Sequence, residues 1–395
     1  MFKRYLLLVA LAVACALNAG AQTVPGLWFT HKKDAVVRQG MVEGDALQFS
    51  LPVKSLSKGS FVQFGISLEN SGDKAPVSYV VEFNEGGTWV SDPGSTFTTV
   101  SSSVRHPSVF LTIHRLAQVV TDTLKVRCRV NSPLAVDGTP LSKDDPANVT
   151  GLKTRNYVGA ILKPLGIKRP KYSKSVLLIG NSFTYYYGEP FMLQEIAYSQ
   201  GMLLNVTASL KGGQTFRQHC GLQMTQQTIA KGDYEYAIIQ GQSQEPAQFA
   251  ADRNERRDVL LSYLELCAMV REASPGCHIY IENTWAYGGA GAGGFNTLER
   301  FYTRLSEGSV ALARAAATDR TFVGQAFEAA RQEGLDVNLL ADDDKHPSLA
   351  GAYLKACVSY LTISGRRFKG RVPSCGLAEE DAASLRRIAE SVALR

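Results

Sequence analysis

From Lys174 to the C-terminus, short apolar runs alternate with segments of helical period, and few sequence patterns restrict a fold as tightly. Strands are expected at Ser175–Ile179, Leu203–Leu210, Glu235–Gln240, His278–Asn283 and Thr321–Gly324. Between and after them, Pro190–Gln200, Arg253–Ala273, Thr297–Ala317, Gln325–Glu333, Leu349–Ser364 and Leu377–Ala393 carry apolar residues at helical spacing. Strands divided by helices imply a parallel sheet covered on both faces, an α/β fold of three layers. Such sheets gather ligands and reacting groups at the carboxyl ends of their strands.

The preceding half has a different period. Candidate strands at Ala46–Val53, Ser60–Glu69, Val77–Asn84, Thr88–Ser91, Ser95–Thr99, Ser108–His114 and Thr123–Asn131 are short, alternating and divided by Gly, Pro, Ser and Asp. That spacing predicts an all-β sandwich, with Asn156–Leu162 as a further strand. A connection containing Pro133, Pro140, Pro146, Pro164 and Pro170 follows. With 395 residues, two domains are expected, at 22–165 and 174–395.

Lys3 and Arg4 precede an apolar run, and Ala19-Gly20-Ala21 offers a small-residue cleavage site, so residues 1–21 read as an export signal. Cys15, after Ala12-Val13-Ala14, is the alternative: a lipid-modified cysteine. Either reading puts the mature chain in the periplasm or outside the cell. A net charge of +6 without a long basic run argues against a nucleic-acid partner. The remaining cysteines lack metal-ligand spacing, so no metal or other cofactor is expected. Cys267–Cys277 and Cys357–Cys375 are conceivable disulfides by nearness in sequence.

The chemistry gathers at expected strand ends. Ser182 follows the first strand in Gly180-Asn181-Ser182-Phe183-Thr184, either as a nucleophile or as an ordinary helix cap. His346 is the candidate base, and Asp343, three residues earlier, is placed to orient its ring. Gly212-Gly213 follows the second strand and Gln240-Gly241-Gln242-Ser243 ends the third, offering backbone and carboxamide donors to a developing oxyanion. Trp285, Tyr287 and Asn181 are candidate pocket residues, and Tyr185-Tyr186-Tyr187 flank the serine. His114, His219 and His278 have no acidic partner at suggestive spacing and read as structural.

As a set, Gly180-Asn181-Ser182, Gly213 (or Gly212), and Asp343-x-x-His346 with the following Pro347-Ser348 resemble the SGNH (GDSL-type) hydrolase superfamily. The resemblance covers about Lys174–Lys369. Asn181 stands where the family has an acid, and the third block lacks Gly-x-Asn-Asp, so Gln242 or Gln240 takes the amide's place. The resemblance implies a flavodoxin-like hydrolase domain and a serine esterase with a Ser182–His346–Asp343 triad. Its oxyanion hole would comprise Ser182, Gly213 and a glutamine. With an appended sandwich, acylated carbohydrate is the expected substrate. A lipase or thioesterase, and a non-catalytic glycan-binding protein on a hydrolase scaffold, are the alternatives.

Overall fold

The computed structural model describes residues 41–43, 46–68, 77–92, 94–99, 108–133, 157–166, 170–288 and 294–394. The expected export signal, with Cys15 and Ala21, lies outside them, as does most of the proline-bearing connection.

Among the described residues, the first half contributes β1 (Met41–Glu43), β2 (Ala46–Pro52), β3 (Phe61–Leu68), β4 (Val77–Glu85), β5 (Thr88–Val90), β6 (Thr96–Thr99), β7 (Ser108–Arg115), β8 (Thr123–Pro133) and β9 (Tyr157–Gly166). One sheet runs β1-β2-β8-β4-β5, with β6 also on β4. β3 pairs antiparallel with β7 on one side and β9 on the other. Phe49, Val81, Phe83, Leu124 and Val126 from the first sheet share one core with Phe64, Phe110 and Leu162 from these three strands.

The second half contributes β10 (Tyr172–Gly180), β11 (Met202–Lys211), β12 (Tyr236–Ile239), β13 (His278–Ile281) and β14 (Asp319–Arg320). They are parallel, in the order β14-β13-β12-β10-β11. Its helices are α1 (Ser182–Tyr185), α2 (Glu189–Ser199), α3 (Phe216–Cys220), α4 (Gln223–Ala230), α5 (Glu245–Ala251), α6 (Arg257–Ala273), α7 (Leu298–Ala316), α8 (Val323–Gln332), α9 (Leu349–Ser364) and α10 (Glu379–Ala393). The run Val176-Leu177-Leu178-Ile179 is buried throughout, because its alternate side chains enter different cores. Val176 and Leu178 meet Leu193 of α2, Ala326 of α8, Leu354 of α9 and Leu385 of α10. Leu177 and Ile179 meet Phe216 of α3, Val259 and Leu266 of α6, and Leu312 of α7. Helices therefore cover both faces, and the carboxyl ends of β10, β11 and β12 come together at one edge.

The two halves share a sheet. Leu210 and Lys211 of β11 pair antiparallel with Val109 and Ser108 of β7, extending the parallel strands through β7, β3 and β9. Gln63 reinforces the join by donating to Phe191 O and Gln194 Oε1, each at 3.1 Å. The expected strand from Asn156 begins at Tyr157, runs on to Gly166, and forms the edge of this sheet against β3.

Three expectations are corrected. The fifth parallel strand lies at Asp319–Arg320 instead of Thr321–Gly324, and α8 has already begun at Val323. Gly324 N donates to Asn283 O, and a Cβ on Gly324 would stand 2.3 Å from Thr284 O, so a glycine lets the helix start press against β13's exit. All six described cysteines are free, so neither Cys267–Cys277 nor Cys357–Cys375 is bridged. His114 does have acidic partners: Nε2 lies 2.7 Å from Glu85 Oε1 and Nδ1 lies 2.6 Å from Asp92 Oδ2. They come from other strands and loops, which local spacing does not reveal.

That last cluster has a pH signature. Burial acts to lower the His114 pKa, but hydrogen bonds and charge from Asp92 and Glu85 outweigh it, and the net shift is upward. A histidine with a raised folded pKa contributes stability that is fully present below its unfolded value and lost as pH rises through the folded one. His114→Phe, whose ring can keep the stacking on Phe83, is expected to cost about 2 kcal/mol in urea unfolding near pH 6. The deficit shrinks towards pH 9; a deficit that grows with pH contradicts the assignment.

Candidate active site

Ser182 is the first residue of α1, directly beyond β10. The side chain capping that helix belongs to Asn181, which accepts from Phe183 N at 3.2 Å. The Ser182 hydroxyl is therefore not spent on the cap. Gly180 is required by space: a Cβ there would meet Thr184 Oγ1 at 2.7 Å and Gln240 Oε1 at 3.0 Å.

His346 lies in the loop before α9. Its Nε2 is 2.8 Å from Ser182 Oγ, and its Nδ1 is 2.5 Å from Asp343 Oδ2. An ionised carboxylate only accepts, so Nδ1 carries the proton and Nε2 is left to accept from the serine hydroxyl. Asp343 also takes the backbone N–H groups of His346 (2.9 Å) and Lys345 (3.2 Å) through Oδ1. Burial acts to raise the Asp343 pKa, but the His346 hydrogen bonds and charge bring the net shift below the ordinary value. Asp343 stays ionised at neutral pH.

The loop is braced from several sides. Ala341 N donates to His346 O, Gly288 N to Asp344 O, and Trp285 Nε1 to Lys345 O at 3.1 Å. Tyr186 stacks on the His346 ring, centroids 4.0 Å apart and nearly parallel, while Phe183 meets it edge-on. Burial first, then the Asp343 carboxylate, pushes the Tyr186 hydroxyl up to about 12, so this ring face remains uncharged.

Three strand-end loops converge on Asn181. Its Nδ2 donates to Gln214 O (3.1 Å), beyond β11, and to Gly241 O (2.9 Å), beyond β12. Its Oδ1 accepts from Gln240 Nε2 at 2.9 Å. Asn181 is thus a buried tie and not a pocket wall. An aspartate could not donate to those two carbonyls, which gives a physical reason for the amide at this position. Gly213, in the loop held by the tie, has a left-handed backbone (φ 73°) and is exposed.

The two candidate glutamines differ. Gln240 is buried, with its oxygen accepting from Asn181 N and Thr184 Oγ1 and its nitrogen engaged by Asn181 and Gly241 O. Gln242 is partly exposed; its Oε1 accepts from Gln244 N at 2.7 Å, and its Nε2 makes only a long 3.4 Å contact to Ser243 Oγ. Glu245 fixes this turn by accepting from Gln242 N (2.7 Å) and Phe216 N (3.0 Å). Burial pushes the Glu245 pKa up to about 7 despite those two donors.

Trp285 does not wall an open pocket. It is 0 % exposed, stacked between Phe183 and Phe327 at 4.4 Å from each. Tyr287 is buried too, its hydroxyl 2.9 Å from Ser243 Oγ. Both aromatics support the loops from beneath, since the apolar packing available under a strand end outweighs exposure of such large rings. Among the described residues, no group of three or more His, Cys, Asp and Glu side chains is arranged to hold a metal ion. No helix among them is long and apolar enough to cross a membrane.

No family model and no curated protein matches the chain. Solved structures to which it is similar include a DUF4886 family protein from Bacteroides uniformis, at 19 % identity over 55 % of this chain and 94 % of that one, with a TM-score of 0.47. The YxiM protein from Bacillus subtilis is 16 % identical over 88 % of this chain and 90 % of that one, with a TM-score of 0.39. Axe2, an acetylxylan esterase from Geobacillus stearothermophilus, is 15 % identical over 52 % of this chain and 100 % of that one, with a TM-score of 0.37.

Proposed function

We propose that the protein is an exported serine esterase of the SGNH type, removing ester-linked acyl groups, acetyl foremost, from carbohydrate. Its units are a β-sandwich at 22–165 and a flavodoxin-like, three-layer hydrolase domain at 174–395. The observation that carries the reading is the uninterrupted line from Ser182 Oγ through the His346 ring to Asp343, at 2.8 and 2.5 Å. A glycan-binding protein without catalysis has no use for that alignment.

In this reading, His346 Nε2 takes the Ser182 proton as Oγ attacks the ester carbonyl. Asp343 stabilises the imidazolium, aided by the Tyr186 ring face. The backbone N–H groups of Ser182 and Gly213 and the Gln242 amide receive the oxyanion. Gln242 is preferred over Gln240 because the latter's amide is already engaged within the fold. Collapse expels the alcohol, which takes its proton from His346 and leaves an acyl group on Ser182. Water, deprotonated by His346, then releases the acid. No step calls for a metal or an organic cofactor.

A screen of p-nitrophenyl esters and acetylated xylo-oligosaccharides, run on wild type and Ser182→Ala together, tests this proposal. Wild type is expected to release acetate from both substrate types, with activity falling by about 10³-fold or more in the variant. Equal turnover by the two proteins sinks the assignment of Ser182. Activity confined to long-chain esters favours the lipase-type alternative.

A further inference from the structure

α9 is mostly apolar, and Lys355 is its only charged residue and is 1 % exposed. Its Nζ donates to Phe183 O at 3.1 Å and Thr184 Oγ1 at 2.9 Å, and pairs with Glu282 Oε1 at 2.9 Å. Two of the ammonium's three donors are spent on the Phe183 and Thr184 oxygens, and the carboxylate adds its charge without hydrogen-bond geometry. Burying a charge opposes folding even when it is paired, and an apolar side chain of similar volume is often as stable. Stability alone therefore gives little reason for a lysine here, and its contacts suggest another.

Phe183 and Thr184 follow Ser182 directly in α1, while the His346 loop leads into α9. One helix thus begins at the base and, further along, grips the backbone carrying the serine. α1 is a single turn, and the 3-10 turn after it holds Tyr187 at φ 52°, a left-handed backbone for a non-glycine residue. So short a helix has little cooperative strength of its own. Thr184 Oγ1 passes the grip on by donating to Gln240 Oε1 at 2.9 Å. Glu282, just beyond β13, anchors the cation from the sheet side. Glu189 of α2 also borders the cluster, its carboxyl pushed up to about 7 by burial.

We infer that Lys355 is a positioning residue: it clamps α1 to α9 so that Ser182 Oγ stays within reach of His346 Nε2. This rests on the reading of Ser182 as the nucleophile. The clamp acts on turnover and not on substrate affinity, because it touches neither the oxyanion donors nor the exposed surface of the site.

Lys355→Met combined with Glu282→Gln removes both charges with little change in volume, and leaves Glu189, whose carboxyl burial already pushes towards the neutral form, as the one ionisable group of the cluster. The expected result is a melting temperature close to wild type and KM within about twofold, while kcat for p-nitrophenyl acetate falls about 10- to 100-fold. The rate at which a fluorophosphonate labels Ser182 falls in parallel. Wild-type kcat and labelling rate in the folded double variant overturn the inference. Thr184→Val cuts one grip at constant volume and supplies the same readout should the double variant not fold. A kcat loss of about threefold or more at unchanged KM supports the clamp, and an unchanged kcat overturns it. Absence of label on Ser182 in wild type instead removes the nucleophile reading, and the clamp with it.

Discussion

His346→Ala is expected to lower kcat/KM for p-nitrophenyl acetate by about 10³- to 10⁵-fold, nearly all of it in kcat. The imidazole is the sole base in contact with Ser182 Oγ among the described side chains, and it is held by an acid, a stacked ring and a braced loop. Without it the hydroxyl must lose its proton to water, a barrier increase of about 4–7 kcal/mol at about 1.4 kcal/mol per tenfold. Ser182→Ala with His346→Ala is expected to be no worse than either change alone, because the two act as one unit. Asp343→Asn is expected to cost less, about 10- to 10³-fold. The Asp343 side chain is 48 % exposed while His346 is 17 % exposed, so water can replace part of what the carboxylate does. Steady-state kinetics on the four variants measure this; a His346→Ala enzyme within tenfold of wild type contradicts it.

Trp285→Ala is expected to destabilise the fold by about 3–5 kcal/mol, read as a lower urea midpoint at unchanged slope. The indole fills the space between Phe183 and Phe327 with both ring planes within 7° of its own. Truncation opens a cavity where three aromatic faces met, and it orphans Lys345 O, which now accepts from the indole N–H. Trp285→Phe keeps much of the stack and loses only that hydrogen bond, at an expected cost of about 1–2 kcal/mol. Because Lys345 neighbours His346, the phenylalanine variant is also expected to lose more activity than stability. A Trp285→Ala protein as stable as wild type contradicts this account of the ring as a buried support.

Local pattern carried much of the sheet and the serine–histidine contact. The apolar run before Gly180 reads as a strand buried on two faces, and Asp343-x-x-His346 can close on itself within one turn. What escaped the sequence depends on partners far along the chain. Asn181 reads as a polar residue beside a serine; its role as a tie exists only once Gln214 and Gly241 are brought to it. The antiparallel union of β7 with β11 has no local period to announce it. His114 lacks acidic neighbours in sequence yet lies between two carboxylates in space. Nearness in sequence misled in the opposite direction for the cysteines, which remain free. Lys355 did leave a legible signal, a lone charge in an apolar helix, though not the identity of what it holds.

Whether Ser182 is the nucleophile is measured by intact mass after brief exposure of the protein to a fluorophosphonate. One adduct per chain is expected, mapped to the peptide containing Ser182, absent in Ser182→Ala and strongly slowed in His346→Ala. Continued ester hydrolysis with no adduct at Ser182, or an adduct on another residue, contradicts that role.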